Sequence, residues 1–315
     1  MIYLHSFTFP TEQKEAEFLY PKDLTPEEVS NLVRKDFRAR YHEGSVYPFG
    51  ILDKNQLGCV SFDEITIFCG GNGCGKTTAL NMIAEKLGLK RDTLFNSGRF
   101  LQDYLDMCWY RIRGENGSLQ RKKEKNPGIF PVDSQIIVSD DVFAHSLKQR
   151  KINDNIIKTR PDAAKKFNDV CSSDHRLGSL ADYDRWKARE KILSNKSAFM
   201  KKQLGEEAQE RSNGETAMLY FLERMENPGL YLLDEPENSL SLENQITLAE
   251  YILSSARYFN CQFIIATHSP IFLSLKGARI YDMDENPVAT KKWTEVENVR
   301  ILYKFFKERE SAFAK

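Results

Sequence analysis

An α/β fold with a mainly parallel sheet, N-terminal β-strands and a helical insertion is what this sequence predicts, and three observations predict it. First, the β-branched and aromatic run Ile65-Thr66-Ile67-Phe68-Cys69 meets a glycine-rich turn, and apolar residues at helical spacing follow over 79–87. Second, the apolar stretch 230–233 ends in Asp234 and Glu235. Third, the apolar stretch 262–266 ends in Thr267 and His268. Helical patterns at 217–222 and 242–259 separate these strands, and strands alternating with helices imply parallel pairing through right-handed crossovers. A further strand is expected at 279–281, with a last helix over 296–308 packed on the flank.

Upstream, residues 2–9 read as a strand. Thr25-Pro26-Glu27-Glu28 reads as a helix start, with a capping hydroxyl, proline in the first turn and acids at the positive dipole end. That helix is expected to reach Arg40, and strands at 58–62 and 64–69 then lead into the glycine turn.

The turn Gly70-Gly71-Asn72-Gly73-Cys74-Gly75-Lys76-Thr77 matches G-x-x-x-x-G-K-[ST]. Glycines let successive N–H groups converge into an anion-binding nest, and the helix that begins there adds its positive end. Gly70, Asn72, Gly73, Gly75, Lys76, Thr77 and Thr78 are the expected phosphate-binding residues. Lys76 supplies a cation for the β- and γ-phosphates, and the Thr77 hydroxyl is placed to ligate Mg²⁺. An ordinary glycine turn before a helix is the bland alternative; the strand, the helix and the Lys-Thr pair argue against it. The core is therefore read as a P-loop NTPase that uses a nucleotide and Mg²⁺.

Composition sets the outer bounds. The 315 residues suffice for one large α/β domain or two smaller ones, and 45 basic against 45 acidic residues give no net charge that advertises a nucleic-acid partner. The sequence has no run of about 18 apolar residues that could span a bilayer, and no N-terminal apolar stretch with a cleavage site. The six cysteines have no C-x-x-C pair and no metal-ligand spacing, which fits reduced thiols in a cytoplasmic protein. Cys74 sits in the glycine turn, where a small residue fits and where oxidation would block nucleotide.

The acids and the histidine complete the expected site. A buried strand delivers Asp234 beside the glycine turn as a Mg²⁺ ligand, and Glu235, pointing differently, can orient or deprotonate the attacking water. His268, at the end of the next strand, can bond the γ-phosphate or the water. Ser212-Asn213-Gly214-Glu215 precedes the helix before the Asp-Glu strand; small residues at a helix start expose N–H groups, although alone such a segment is often a cap.

Residues 91–204 read differently, as a polar, mostly helical insertion or lid between core segments 1–90 and 205–315. Helices are expected at 100–112 and 182–204, with one strand at 135–138. The run Arg121-Lys122-Lys123-Glu124-Lys125 is read as a solvated loop. From Val142 to Glu210 there are fifteen Lys or Arg against ten Asp or Glu, which suits either a nucleic-acid contact or a solvated lid.

The ordered set resembles the ABC-type ATPases of the SMC/RecF-like branch, with Gly70 to Thr77 as Walker A, Ser212 to Glu215 as the signature, Leu230 to Glu235 as Walker B, Asn238-Ser239-Leu240 as the D-loop and His268 as the switch histidine. It is also similar to compact bacterial AAA/ABC ATPases that resemble ATPase subunits of anti-phage, abortive-infection systems. The signature departs from that of transporters at Asn213 and Glu215. No Q-loop glutamine is evident, and Asp140 or Asp141, after Gln135, is the candidate in its place, with Asp140 assigned to the metal.

The resemblance implies an ATPase that uses ATP and Mg²⁺ and sandwiches each ATP between the Walker A of one protomer and the signature of its partner. Lys76, Glu235 and His268 would be catalytic; Thr77, Asp234 and Asp140 would hold metal; Ser212, Gly214, Glu215 and Ser239 would join the nucleotide site. It further implies a homodimer or higher oligomer that couples nucleic-acid or partner sensing to a separate effector in anti-phage defence or DNA repair. The alternatives are an ATP-dependent scaffold with little turnover and a soluble subunit of a transporter.

Overall fold

Apolar residues alternate between two cores along the central strands, and that alternation decides where the functional side chains emerge. The computed structural model describes residues 1–19, 46–95, 97–114, 116–172 and 213–313. In chain order the elements are β1 (Leu4–Thr8), α1 (Glu12–Leu19), β2 (Cys59–Ser61), β3 (Ile65–Cys69), α2 (Lys76–Leu87), α3 (Leu101–Met107), β4 (Trp109–Arg113), β5 (Leu119–Lys122), β6 (Gln135–Val138), α4 (Ser139–Ser172), α5 (Asn213–Arg224), β7 (Leu230–Asp234), α6 (Leu242–Tyr258), β8 (Gln262–Ala266), α7 (Pro270–Leu273), β9 (Arg279–Asp282), β10 (Ala289–Lys291) and α8 (Glu297–Lys307).

A six-stranded sheet has the order β10-β9-β3-β8-β7-β6, parallel from β9 to β6, with β10 antiparallel at the edge. A four-stranded antiparallel sheet has the order β2-β1-β4-β5. Leu230 and Leu232 of β7 and Ile264 and Ala266 of β8 join one buried cluster with Leu80 and Ile83 of α2. Tyr231, Leu233, Phe263 and Ile265 face the opposite core, with Phe221, Leu248 and Ile252. Period two then places Asp234, the next residue after Leu232 on its face, on the α2 side of the sheet.

Gln262, fully buried, ties the two sheets together. Its Oε1 accepts from the Tyr3 and Leu4 amides at 2.9 Å each, and its Nε2 donates to the carbonyls of Leu4 at 2.9 Å and Asp63 at 3.1 Å. One glutamine thus satisfies four backbone groups that burial would otherwise leave without water.

The chain forms two compact units, one of Met1–Val142 with Ala217–Lys315 and one of Phe143–Thr216. All strands of the described residues lie in the first; the described parts of the second are helical. Several element-level expectations change. The helix expected over 100–112 stops at Met107, because Tyr110 and Ile112 are buried while Arg111 and Arg113 are exposed, an alternation that makes β4 a strand. The basic run after it is not simply a loop, since Arg121 and Lys122 belong to β5, paired with β4. The last helix packs only through Val296 and Val299 at its start, and Ile301, Leu302, Phe305 and Phe306 are exposed. The helix expected from Thr25 and that expected over 182–204 lie outside the described residues.

Candidate functional site

Fully buried β3 delivers the chain to Gly70, and the turn that follows bends through glycines at positive φ: 144° at Gly70, 82° at Gly73 and 100° at Gly75. A Cβ on Gly75 would also stand 2.9 Å from Leu52 Cδ2, so both backbone angle and space demand glycine there. α2 starts at Lys76 with no capping side chain on its first amides. That leaves an N–H cradle of the kind that accepts phosphate. Asn72 and Gly73 are exposed on its rim, whereas Thr78 is buried in the first turn of α2.

Three separate segments meet at this cradle. Lys76, 4% exposed, bonds the Gly70 and Gly71 carbonyls at 3.0 Å each and lies 2.8 Å from His268 Nε2. The same imidazole nitrogen is 3.2 Å from Glu235 Oε1. The Thr77 hydroxyl donates to Asp234 Oδ1 at 3.0 Å, as the sheet-face argument requires. Glu235 adopts a left-handed backbone, φ 48° and ψ 54°, while its amide still bonds the Ala266 carbonyl at 2.8 Å. A non-glycine residue in that conformation costs about 1–2 kcal/mol. The twist turns Glu235 away from the direction of Asp234, toward His268, and Asn238 Nδ2 holds its other oxygen at 2.8 Å.

The oxygens of Thr77 and Asp234 suit a hard divalent cation such as Mg²⁺. Among the described residues no group of three or more His, Cys, Asp or Glu could hold a metal. Mg²⁺ commonly takes only one or two protein oxygens and completes its shell with phosphates and water, so the donor set fits it.

Burial pushes the Asp234 carboxyl up to about 6 from 3.8; neighbouring Glu235 adds to the rise and the Thr77 hydrogen bond opposes it. Because the folded-state value is the higher one, this group's stabilisation is fully present below the unfolded value and is lost as pH rises through 6. A shift of roughly two units corresponds to about 3 kcal/mol as an upper figure. Asp234→Asn is therefore expected to raise the melting temperature of the Mg²⁺-free protein at pH 7.5 by several degrees, with the gain shrinking toward pH 5. Thermal melts in chelator check this, and equal melting temperatures at both pH values would contradict it.

Two acids at the site went unassigned in the sequence reading. Glu237 Oε1 accepts from Thr267 Oγ1 at 2.7 Å, from the His268 amide at 2.6 Å and from the Ser269 amide at 3.1 Å. It thus clamps the turn that presents His268. Its position two residues after Glu235 was the available signal. Asp284, after β9, accepts from the Gly71 amide through both oxygens, at 2.9 and 2.7 Å. A contact across 213 residues leaves no local pattern to read.

Other expected site residues have these places. Ser239 is half-buried at the end of the turn Pro236–Ser239. Gly214 and Glu215 stand in the first turn of α5, and Ser212 lies outside the described residues. Asp140 is exposed on the first turn of α4, whereas Asp141 is 3% exposed, with Oδ2 accepting from the Val138 amide at 2.9 Å. Cys74 is half-buried, and burial raises its thiol pKa, so the protonated, less reactive form prevails. Among the described residues no helix is long and apolar enough to cross a membrane.

Comparison with known proteins places this arrangement. A model described as ABC transporter matches residues 55–238, and one described as AAA ATPase domain matches 212–273. No curated protein matches the chain. Similar solved structures include the Smc head domain from Pyrococcus furiosus bound to the C-terminal domain of ScpA, at 13% identity over 80% of this chain and 95% of that one, with TM-score 0.37. The SMC head domain from Thermotoga maritima has 15% identity over 74% and 92%, with TM-score 0.36. A nucleotide-free ATP-binding cassette from an ABC transporter has 16% identity over 78% and 87%, with TM-score 0.35. With the first family model spanning more than half of its 315 residues, the chain belongs to the ABC transporter family through an ATPase core of α/β P-loop NTPase fold.

Proposed function

We propose that this protein is an ATP-hydrolysing switch that closes as a dimer around Mg²⁺-ATP and reopens on hydrolysis. One observation carries the reading: Lys76, Thr77, Asp234, Glu235 and His268, from three segments of the chain, are linked by contacts of 2.8–3.2 Å at the glycine cradle. In this reading the cradle and Lys76 hold the β- and γ-phosphates, and Thr77 and Asp234 hold Mg²⁺. Glu235 takes the proton of the attacking water, and His268 holds the γ-phosphate or that water. Ser212, Gly214, Glu215 and Ser239 serve the nucleotide of the partner protomer. The catalytic function lies in segments 1–90 and 205–315; the remainder, 91–204, is the means of coupling, although its part up to Val142 shares the larger compact unit. Asp140 keeps its assignment to the metal in this reading.

ATP touching both protomers only in the closed state makes closure depend on ATP, because a ligand shifts an equilibrium by its differential affinity. The motif resemblance extends the reading to a cytoplasmic switch that couples nucleic-acid or partner sensing to a separate effector in anti-phage defence or DNA repair. Light scattering on a sizing column tests the closure. A mass shift from monomer to dimer with Mg²⁺-ATP, reversed with ADP, is expected; one mass under all conditions would defeat the reading.

A further inference from the structure

The hairpin β4-β5 forms the open edge of the antiparallel sheet, and its outward face is charged in a way the fold does not require. Trp109, Arg111 and Arg113 share that face of β4, since Tyr110 and Ile112 between them are buried. Arg121 stands directly opposite Arg111 in the register. Both guanidiniums lie over the half-buried Trp109 ring, Arg121 at 4.1 Å and Arg111 at 5.0 Å from its centroid.

Like charges directly opposite on a sheet are destabilising. A cation over an aromatic face offsets part of that repulsion, so one arginine on Trp109 would make structural sense. A second beside it and a third at Arg113 add repulsion without a further ring. Ion pairs among the described residues engage Arg224, Arg279 and Arg309, but not Arg111, Arg113 or Arg121. Among the described residues, the face therefore holds three guanidiniums and one indole, and none of the three arginines is in an ion pair.

We propose that this face binds a single-stranded nucleic acid, with Arg111, Arg113 and Arg121 on successive phosphates and Trp109 beside the bases. The three arginine positions span about one strand spacing, near 5 Å, by two residues, near 7 Å, with Trp109 two residues further along β4, a narrow strip that matches one backbone rather than two. Guanidinium forks fit phosphate oxygens, and a cationic surface with an aromatic ring is how unpaired strands are held without sequence preference. An acidic peptide would use the charges but leave the indole unexplained. The inference names the partner in the proposed switch, and binding is measured without nucleotide so that it stands apart from turnover.

Fluorescence polarisation with a labelled 20-nucleotide oligothymidylate is the test, with a duplex of equal length and polyglutamate as comparison probes. Arg111→Ser/Arg121→Ser is expected to weaken strand binding at least tenfold and to reduce the slope of log K against log salt by about 1.4, two phosphates' worth. Arg113→Ser alone should reduce that slope by about 0.7. Unchanged melting temperatures show that the variants fold; should the double variant not fold, Arg113→Ser decides. Arg185→Ser/Arg189→Ser, in the other basic segment, should leave the slope as it is. No strand binding, equal or tighter binding of duplex or polyglutamate, or a slope that falls only in the Arg185/Arg189 variant overturns the inference. Wild-type protein that binds the strand but does not hydrolyse ATP would count against the switch and not against the hairpin.

Discussion

Glu235→Gln is expected to lower ATP turnover by 10²- to 10⁴-fold while ATP still binds. The size follows from losing a positioned general base. The selectivity follows from geometry: Lys76 and the Thr77–Asp234 pair do not depend on Glu235 for their contacts, and Gln keeps the volume of Glu. One of the two carboxylate contacts, to His268 or to Asn238, meets an amide N–H₂ instead of an oxygen, but neither partner sits on the glycine turn. ATP that binds without being consumed keeps the closed state populated, so the variant should run as a dimer in Mg²⁺-ATP long after wild-type protein has returned to monomer. Steady-state phosphate release and light scattering check the two halves. A scaffold with incidental turnover would show no such persistence.

Glu237→Ala is expected to slow turnover indirectly, through the turn that presents His268. Removing the carboxylate strips Thr267 Oγ1 and the His268 and Ser269 amides of one shared acceptor. Each hydrogen bond to a charged group contributes about 1.5–3 kcal/mol, so the turn presenting His268 should loosen. Turnover is expected to fall 10- to 100-fold with the KM for ATP within about twofold, since the phosphate cradle is untouched. Glu237→Gln keeps an acceptor oxygen and should recover part of the rate. Combining Glu237→Ala with His268→Ala should cost no more than the worse single change, because both act through one imidazole. Additive losses would show that Glu237 is merely structural.

What could be read from the sequence was what is local. β3, the glycine turn and α2 are contiguous, and their residue types are dictated by backbone angle and phosphate chemistry. β7 and β8 are buried on both faces, so each reads as an apolar run that leads into a candidate site residue, Asp234 at the end of β7 and His268 two residues beyond β8. The hairpin was hidden because Leu119–Lys122 buries nothing fully: an edge strand with one solvated face carries little apolar signal. That Asp141 is buried on the Val138 amide while Asp140 is exposed follows from the helix register, since neighbours on a helix point about 100° apart. The left-handed turn at Glu235, which decides that the acid meets His268, precedes Pro236 and has no sequence mark of its own. Asp284 on the Gly71 amide is a purely tertiary fact.

In the proposed switch, Lys76, Thr77, Asp234, Glu235 and His268 act as one hydrolytic site. Phosphate release by the purified full chain in Mg²⁺-ATP, beside Lys76→Ala and Glu235→Gln, measures it most directly. Sustained release by wild-type protein, no ATP binding by Lys76→Ala, and ATP binding without release by Glu235→Gln are expected. Release that persists in Glu235→Gln at the wild-type rate, or wild-type protein that binds Mg²⁺-ATP and never releases phosphate, would contradict it.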